Sequence, residues 1–220
     1  MSTGGVLHIV TNIALLALLV VLILLPEGPV RTYFADRRAF LEQAERIQIL
    51  WDGMTEYASP LNGDLVSTAE IDIIMFGDYR CGFCQTSHDE LKELLRRHPD
   101  VRVGYIQFPL DTAGPSDYAS RLALCGEEDG VFRAVHDRLY EWEDWRTQPD
   151  WILIANDAGV EDIDRFETCL TNKRTHRRLR QHASFGQTLD IPGTPTFVSL
   201  SGIHVGLGTV DDLIALIDGP

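Results

Sequence analysis

The chain's 220 residues, 45% of them hydrophobic, can bury a sizeable core, and the length allows one elaborated domain or two small ones. With 33 acidic against 19 basic residues the net charge is −14. So little basic surface is left for phosphate contacts that nucleic acid is set aside as a partner.

The N-terminal segment Val6–Leu25, VLHIVTNIALLALLVVLILL, is apolar without interruption from Ile13 to Leu25. That inner run fits a signal-peptide core, while the whole segment, as a helix of about 30 Å, just spans a bilayer. The following PEGPVRTYFAD has no small-x-small cleavage pattern, so a retained transmembrane helix is preferred to a removed signal. No Lys or Arg precedes the segment, whereas Arg31, Arg37 and Arg38 follow it. This runs against the positive-inside tendency for an outward-facing domain, and topology is taken from the cysteine chemistry instead.

Residues 1–31 read as anchor, or signal, plus a Pro/Gly linker, and residues 32–58 as a stalk helix. Phe40, Ala44, Ile47 and Trp51 share one stripe of it at helical spacing. Such a face lies against a domain; a dimer seam is the alternative, over few heptads. After the turn-rich SPLNGDLVSTAE (59–70), Ile71–Phe76 is a short apolar run suited to a buried strand. Cys84, Ser87, Leu91, Leu94 and Leu95 then recur at steps of three and four, which predicts a helix from Cys81 to near His98. VRVGYIQFPL (101–110) has the β-branched and aromatic content of a second strand. Strand, helix and strand make a βαβ unit, with parallel strands and a right-handed crossover.

Two cysteines sit where that helix begins, in GDYRCGFC. Cys81, at its first position, lies among unpaired backbone N–H groups and the positive end of the macrodipole, which favour thiolate over thiol. Arg80 adds to that field unless it points to solvent. Cys84, one turn deeper on the same face, is placed to bond with Cys81 and shielded enough to stay protonated. The pair is asymmetric: Cys81 attacks or is attacked, and Cys84 resolves the mixed disulfide. A zinc site is the competing reading of C-x-x-C, but no second C-x-x-C or H-x-x-x-H completes four ligands. A purely structural disulfide closing so short a loop constrains little chain entropy.

GDYRCGFC resembles the active-site segment of DsbA-type thioredoxin-fold thiol:disulfide oxidoreductases, including their membrane-tethered bacterial members. IPGTPTFVSLSGIHVGLG (191–208) is similar to the strand facing that motif across the sheet, and the likeness covers about residues 59–215. The resemblance implies an α/β thioredoxin fold, a central mixed β-sheet flanked by helices, preceded here by the N-terminal transmembrane helix. Residues 59–115 and 188–220 would form the thioredoxin-like domain and 116–187 an inserted helical domain. Helical patterns at 116–126, 130–143, 150–158, 161–171 and 173–187 suit that insert. The resemblance also implies a cis Thr194–Pro195 peptide abutting the sulfurs, with Pro195 catalytic and Thr194, Gly82 and Phe83 as substrate-binding positions. The Thr194 backbone would pair with an extended peptide. Cys125 and Cys169 both fall in the insert near helix ends. In an exported chain they form a structural disulfide, worth about 3–4 kcal/mol in the chain-entropy model; buried free thiols are the alternative.

Family members often carry a buried acid six residues before the first cysteine. Met75 stands there, flanked by Asp72 and Asp78. Asp78 is near enough to cap the helix, and its charge opposes the thiolate. His88 reads as a helix-surface residue, and the aromatics of YEWEDW (140–145) as packing at a helix end. The expected function is an extracytoplasmic oxidase introducing disulfides into exported proteins. Reductase or isomerase chemistry at the same site, and a non-catalytic peptide-binding or chaperone module, are the alternatives. No metal or organic cofactor is expected beyond the redox-active disulfide. The implied partners are exported cysteine-containing proteins and a membrane quinone-linked re-oxidase of the DsbB or VKOR type. The implied location is a single-pass protein of the bacterial cell membrane with its catalytic domain outside.

Overall fold

Ile73-Ile74-Met75-Phe76-Gly77 is apolar throughout, as a strand covered on both faces must be, and in the computed structural model it is the central strand of the sheet. The structure describes residues 11–18, 20–21, 28–62, 71–146 and 150–219, and divides into two units, residues 1–45 and 46–220.

In the first unit residues 11–18 are helical and exposed. Among the described residues no helix is long and apolar enough to cross a membrane. The transmembrane helix expected over Val6–Leu25 lies in large part outside the described residues, so the fold carries no support for it. Helix α1, Pro29–Tyr57, begins inside the expected linker. The fixed φ and missing N–H of Pro29 suit a first helical position. Its stripe is buried only in part: Phe40 is exposed, Ala44 and Trp51 are half-buried and Ile47 is fully buried. Within the second unit Ile47 packs with Phe185, Leu189 and Ile191, and Trp51 packs against the same group.

Among the described residues the second unit holds five strands, β1 (Ser59–Pro60), β2 (Ile73–Gly77), β3 (Val103–Gln107), β4 (Thr196–Ser199) and β5 (Gly202–Val205), in the order β1-β3-β2-β4-β5. β2 and β3 are parallel with Ile73 opposite Val103, and every other pairing is antiparallel. The sheet is therefore mixed, as expected. Pro60, which cannot donate to a ladder, sits on an edge strand. Helix α2, Gly82–Arg97, makes the β2–β3 crossover.

Alternation along β2 separates two cores. Ile73 and Met75 join Leu91 and Leu94 of α2 with Tyr105 and residues of the insert. Ile74 and Phe76 join Ile47 and Met54 of α1, Phe185 and Val198. Between β3 and β4 run helices α3 (Pro115–Glu128), α4 (Phe132–Glu141), a 3₁₀ turn (Glu143–Arg146), α5 (Trp151–Asp157), α6 (Ile163–Thr171) and α7 (Lys173–Thr188). Asp150, Asp162 and Asn172 start the last three by accepting backbone N–H bonds from Leu153, Arg165 and Arg174. Cys125 of α3 and Cys169 of α6 are joined, with S–S 1.97 Å and Cα–Cα 5.9 Å. Helix α8, Val210–Asp218, closes the chain behind a Thr209/Asp212 capping box.

Candidate active site

The site is made by the tight exit from β2 into α2. Asp78, buried, braces it: Oδ1 accepts from the Arg80 amide at 2.8 Å and Oδ2 from the Leu110 amide at 2.9 Å. Asp78 thus ties the turn to the segment after β3 instead of capping the helix at Cys81. Gly77 must lack a side chain, because a Cβ there would run into the Tyr105 ring and hydroxyl. Arg80 turns outward to Asp111, at 3.6 Å.

Cys81 is the N-cap residue, with φ −76° and ψ 116°, so the helix starts at Gly82, one position later than expected. Its thiol donates to the Thr194 carbonyl oxygen at 3.2 Å and accepts no capping bond. Loss of that proton changes which groups matter. The Cys84 thiol, which faces Cys81, is the strongest influence holding the Cys81 pKa down to about 5. Burial opposes it, and Thr194 and the amides of Cys84 and Phe83 reinforce it. An N-cap atom is positioned to take the amides of the second and third helical residues, and here those are Phe83 and Cys84. Cys84 is fully buried, and burial, joined by its bond to Cys81, pushes its thiol far up. One sulfur is thus an anion at neutral pH and the other a thiol.

Opposite the pair, the Thr194–Pro195 peptide is cis, just before β4. Pro195 is buried and its carbonyl accepts from the Gly206 amide at 2.8 Å. The Thr194 hydroxyl oxygen is buried without a hydrogen-bond partner among the described residues. Gly82 is exposed with open space where a Cβ would be, and Phe83 is 64% exposed. Cys81, Cys84, Thr194 and Pro195 are brought together, with Gly82 and Phe83 on the open side. Cys125 and Cys169 stand apart as a bonded pair in the insert.

His88 is not on the surface. It is 3% exposed, stacked on Tyr140 with ring centroids 5.1 Å apart and 5.2 Å from the His136 ring. Behind it Tyr79, Tyr105, Tyr140 and His136 form a buried aromatic group, with Tyr79 Oη 3.0 Å from His136 Nδ1 and the Tyr105 and Tyr140 hydroxyls 2.7 Å apart. His88 sits on the buried face because α4 of the insert packs over α2, a tertiary fact no helical period in α2 discloses. Tyr140 and Trp145 are likewise buried packing residues.

Residues 63–219 match the family model described as Thioredoxin. The chain belongs to the thioredoxin family. The crystal structure of the alpha-DsbA2 thiol-disulfide exchange protein of Wolbachia pipientis superposes with a TM-score of 0.67 at 19% identity, over 82% of this chain and 97% of that one, a likeness of fold. The Probable disulfide bond formation protein D of Bacillus anthracis is 24% identical over 140 residues, 58% of this chain and 64% of that protein. The Na(+)/H(+) antiporter NhaA 3 of Salinispora tropica is 27% identical over 150 residues, 68% of this chain. The chain spans only 23% of that antiporter's length.

Proposed function

We propose that this thioredoxin-family protein is an extracytoplasmic thiol:disulfide oxidoreductase that oxidises exported proteins. The observation that carries the reading is the unequal pair, Cys81 ionised and Cys84 protonated. In the oxidising direction a substrate thiolate attacks Cys81 Sγ of the Cys81–Cys84 disulfide. A substrate–Cys81 disulfide forms and Cys84 leaves, taking a proton. The substrate's second thiolate then attacks its own sulfur in the mixed disulfide and expels the Cys81 thiolate. Two substrate thiols become one disulfide, the pair gains two electrons, and one proton stays on Cys84 while the other goes to solvent.

The low Cys81 pKa favours this direction. Ionisation near 5 instead of the ordinary 9.0 stabilises the reduced form of the pair at neutral pH, and so raises its reduction potential. The same geometry run backwards is a reductase or isomerase. A quinone-linked membrane oxidant would return the pair to its disulfide. The Cys125–Cys169 bridge supports an oxidising compartment, and the apolar run Ile13–Leu25 supports tethering or export.

The test is oxidative folding of a reduced two-cysteine substrate by the oxidised protein. Stoichiometric substrate disulfide is expected with the wild type and none with Cys81→Ser; undiminished turnover in that variant would end the redox reading. Equilibration in glutathione buffers fixes direction: a potential well below that of the glutathione couple would reassign the protein as a reductase.

A further inference from the structure

Two of the buried histidines left out of the redox chemistry make a second site. We infer that His88, His136 and Asp137 form a binding site for a divalent transition metal of the zinc class, joining the active-site helix α2 to helix α4 of the insert. One donor atom from each residue lies within 4.8 Å of the other two. His88 and His136 are 3% and 1% exposed, and neither Nε2 has a hydrogen-bond partner among the described residues. His88 Nε2 stands 3.5 Å from Asp137 Oδ1, without hydrogen-bond geometry. Buried imidazole nitrogens without partners need an explanation, and of the three such Nε2 atoms among the described residues, on His88, His136 and His182, two belong to this cluster.

The donor chemistry fits. Two imidazoles and a carboxylate suit zinc and its neighbours, not magnesium or calcium. Bonds of about 2.0–2.2 Å require the three donors to close by on the order of 1 Å, within reach of side-chain torsion. Groups that would orient the donors are in place. Tyr79 Oη lies 3.0 Å from His136 Nδ1, so Nδ1–H can donate to it while Nε2 turns its lone pair to the metal. Arg133 Nε donates to both Asp137 oxygens at 2.9 Å and fixes the carboxylate. A carboxylate has about four lone-pair sites, so acceptor capacity remains. The Asp137 side chain is 30% exposed, which opens the cluster to solvent on that side and leaves a fourth position for water. Three protein ligands with one open position differ from a closed structural centre.

The inference is independent of the redox reading and fails separately from it. The full chain is titrated with Zn²⁺ by calorimetry, and with Co²⁺ by visible absorption, with Cys81–Cys84 oxidised so that no thiolate competes. One equivalent of Zn²⁺ per chain is expected, with X-ray absorption showing nitrogen and oxygen donors, two imidazoles among them, and no sulfur. Asp137→Asn, at a partly exposed position, should weaken binding at least about tenfold, and His136→Gln more. Failure to bind near-stoichiometric Zn²⁺ at about 100 µM would overturn the site. So would affinity unchanged in Asp137→Asn and His136→Gln, or absorption spectra without imidazole; the spectra need only wild-type protein, so a poorly folding variant does not blunt the test.

Discussion

Thr194 presents two oxygens to Cys81: its carbonyl oxygen accepts the Cys81 thiol hydrogen at 3.2 Å, while its buried hydroxyl has no hydrogen-bond partner among the described residues. When the thiol ionises the carbonyl contact loses its proton, and the hydroxyl becomes the donor that turns to the anion. Thr194 is among the groups that lower the Cys81 pKa. Thr194→Val keeps the β-branched shape and removes that donor. A hydrogen bond to a charged group is worth about 1.5–3 kcal/mol, so the Cys81 pKa should rise from about 5 to at least about 6. Ultraviolet titration of the thiolate would read this. An unshifted curve would mean that the hydroxyl never reaches the sulfur.

The two thiols should be separable by alkylation. In the reduced protein, reaction at Cys81 should grow as pH rises through about 5, while Cys84, buried and held protonated, stays unmodified through neutral pH. The same ionisation sets a stability difference. Unfolded Cys81 keeps its proton to near 9.0, whereas folded Cys81 loses it near 5. Its stabilisation of the reduced form is therefore full above the upper value and fades as pH falls through the window to the lower one. The Tm of the reduced protein minus that of the oxidised protein should shrink steadily from pH 8 to pH 5. A constant difference would contradict the low pKa.

Cys125–Cys169 staples α3 to α6 at a sequence separation of 44. Replacing both residues with Ala should cost about 3–4 kcal/mol in urea unfolding if the chain-entropy model holds. Cys81–Cys84 exchange should survive in the folded variant, because the bridge lies outside the pair. A loss under about 1 kcal/mol would show that the insert is held by packing alone.

Much of this was legible in the sequence, and the reasons are local. The described insert helices and the βαβ unit follow from apolar period, so their observed bounds differ by a few residues at most. Cys81 and Cys84 stand out because a strand end and a helix start put special chemistry on whatever residue falls there. Placement of Thr194 against Cys81 needed a family resemblance, since β4 and α2 are brought together only by sheet order. His88 reads as a surface residue, and His136 and Asp137 escape notice, for the same reason: His88 lies on α2 and the adjacent His136 and Asp137 on α4, at no recognisable spacing.

His182 should make the fold acid-sensitive. Its Nδ1 accepts the Gln107 amide of β3 at 3.1 Å in the core beside Tyr57. Burial, with Arg178 adding to it, lowers its pKa from 6.5 to about 3. Between those values the unfolded chain carries a proton on His182 that the folded chain refuses. Its contribution to stability is therefore complete above the upper value and is lost, by at most about 1.4 kcal/mol per pH unit, as pH falls toward the lower one. His182→Asn leaves an amide oxygen for the Gln107 N–H and removes the titration. Urea unfolding at pH 7, 6, 5 and 4 should then give a pH slope shallower than the wild type's by about one proton. His88 and His136 also have lowered pKa values and are retained in both proteins, so they cancel in the difference. Equal slopes would mean that His182 accepts its proton inside the fold, through rearrangement that exposes the ring to water.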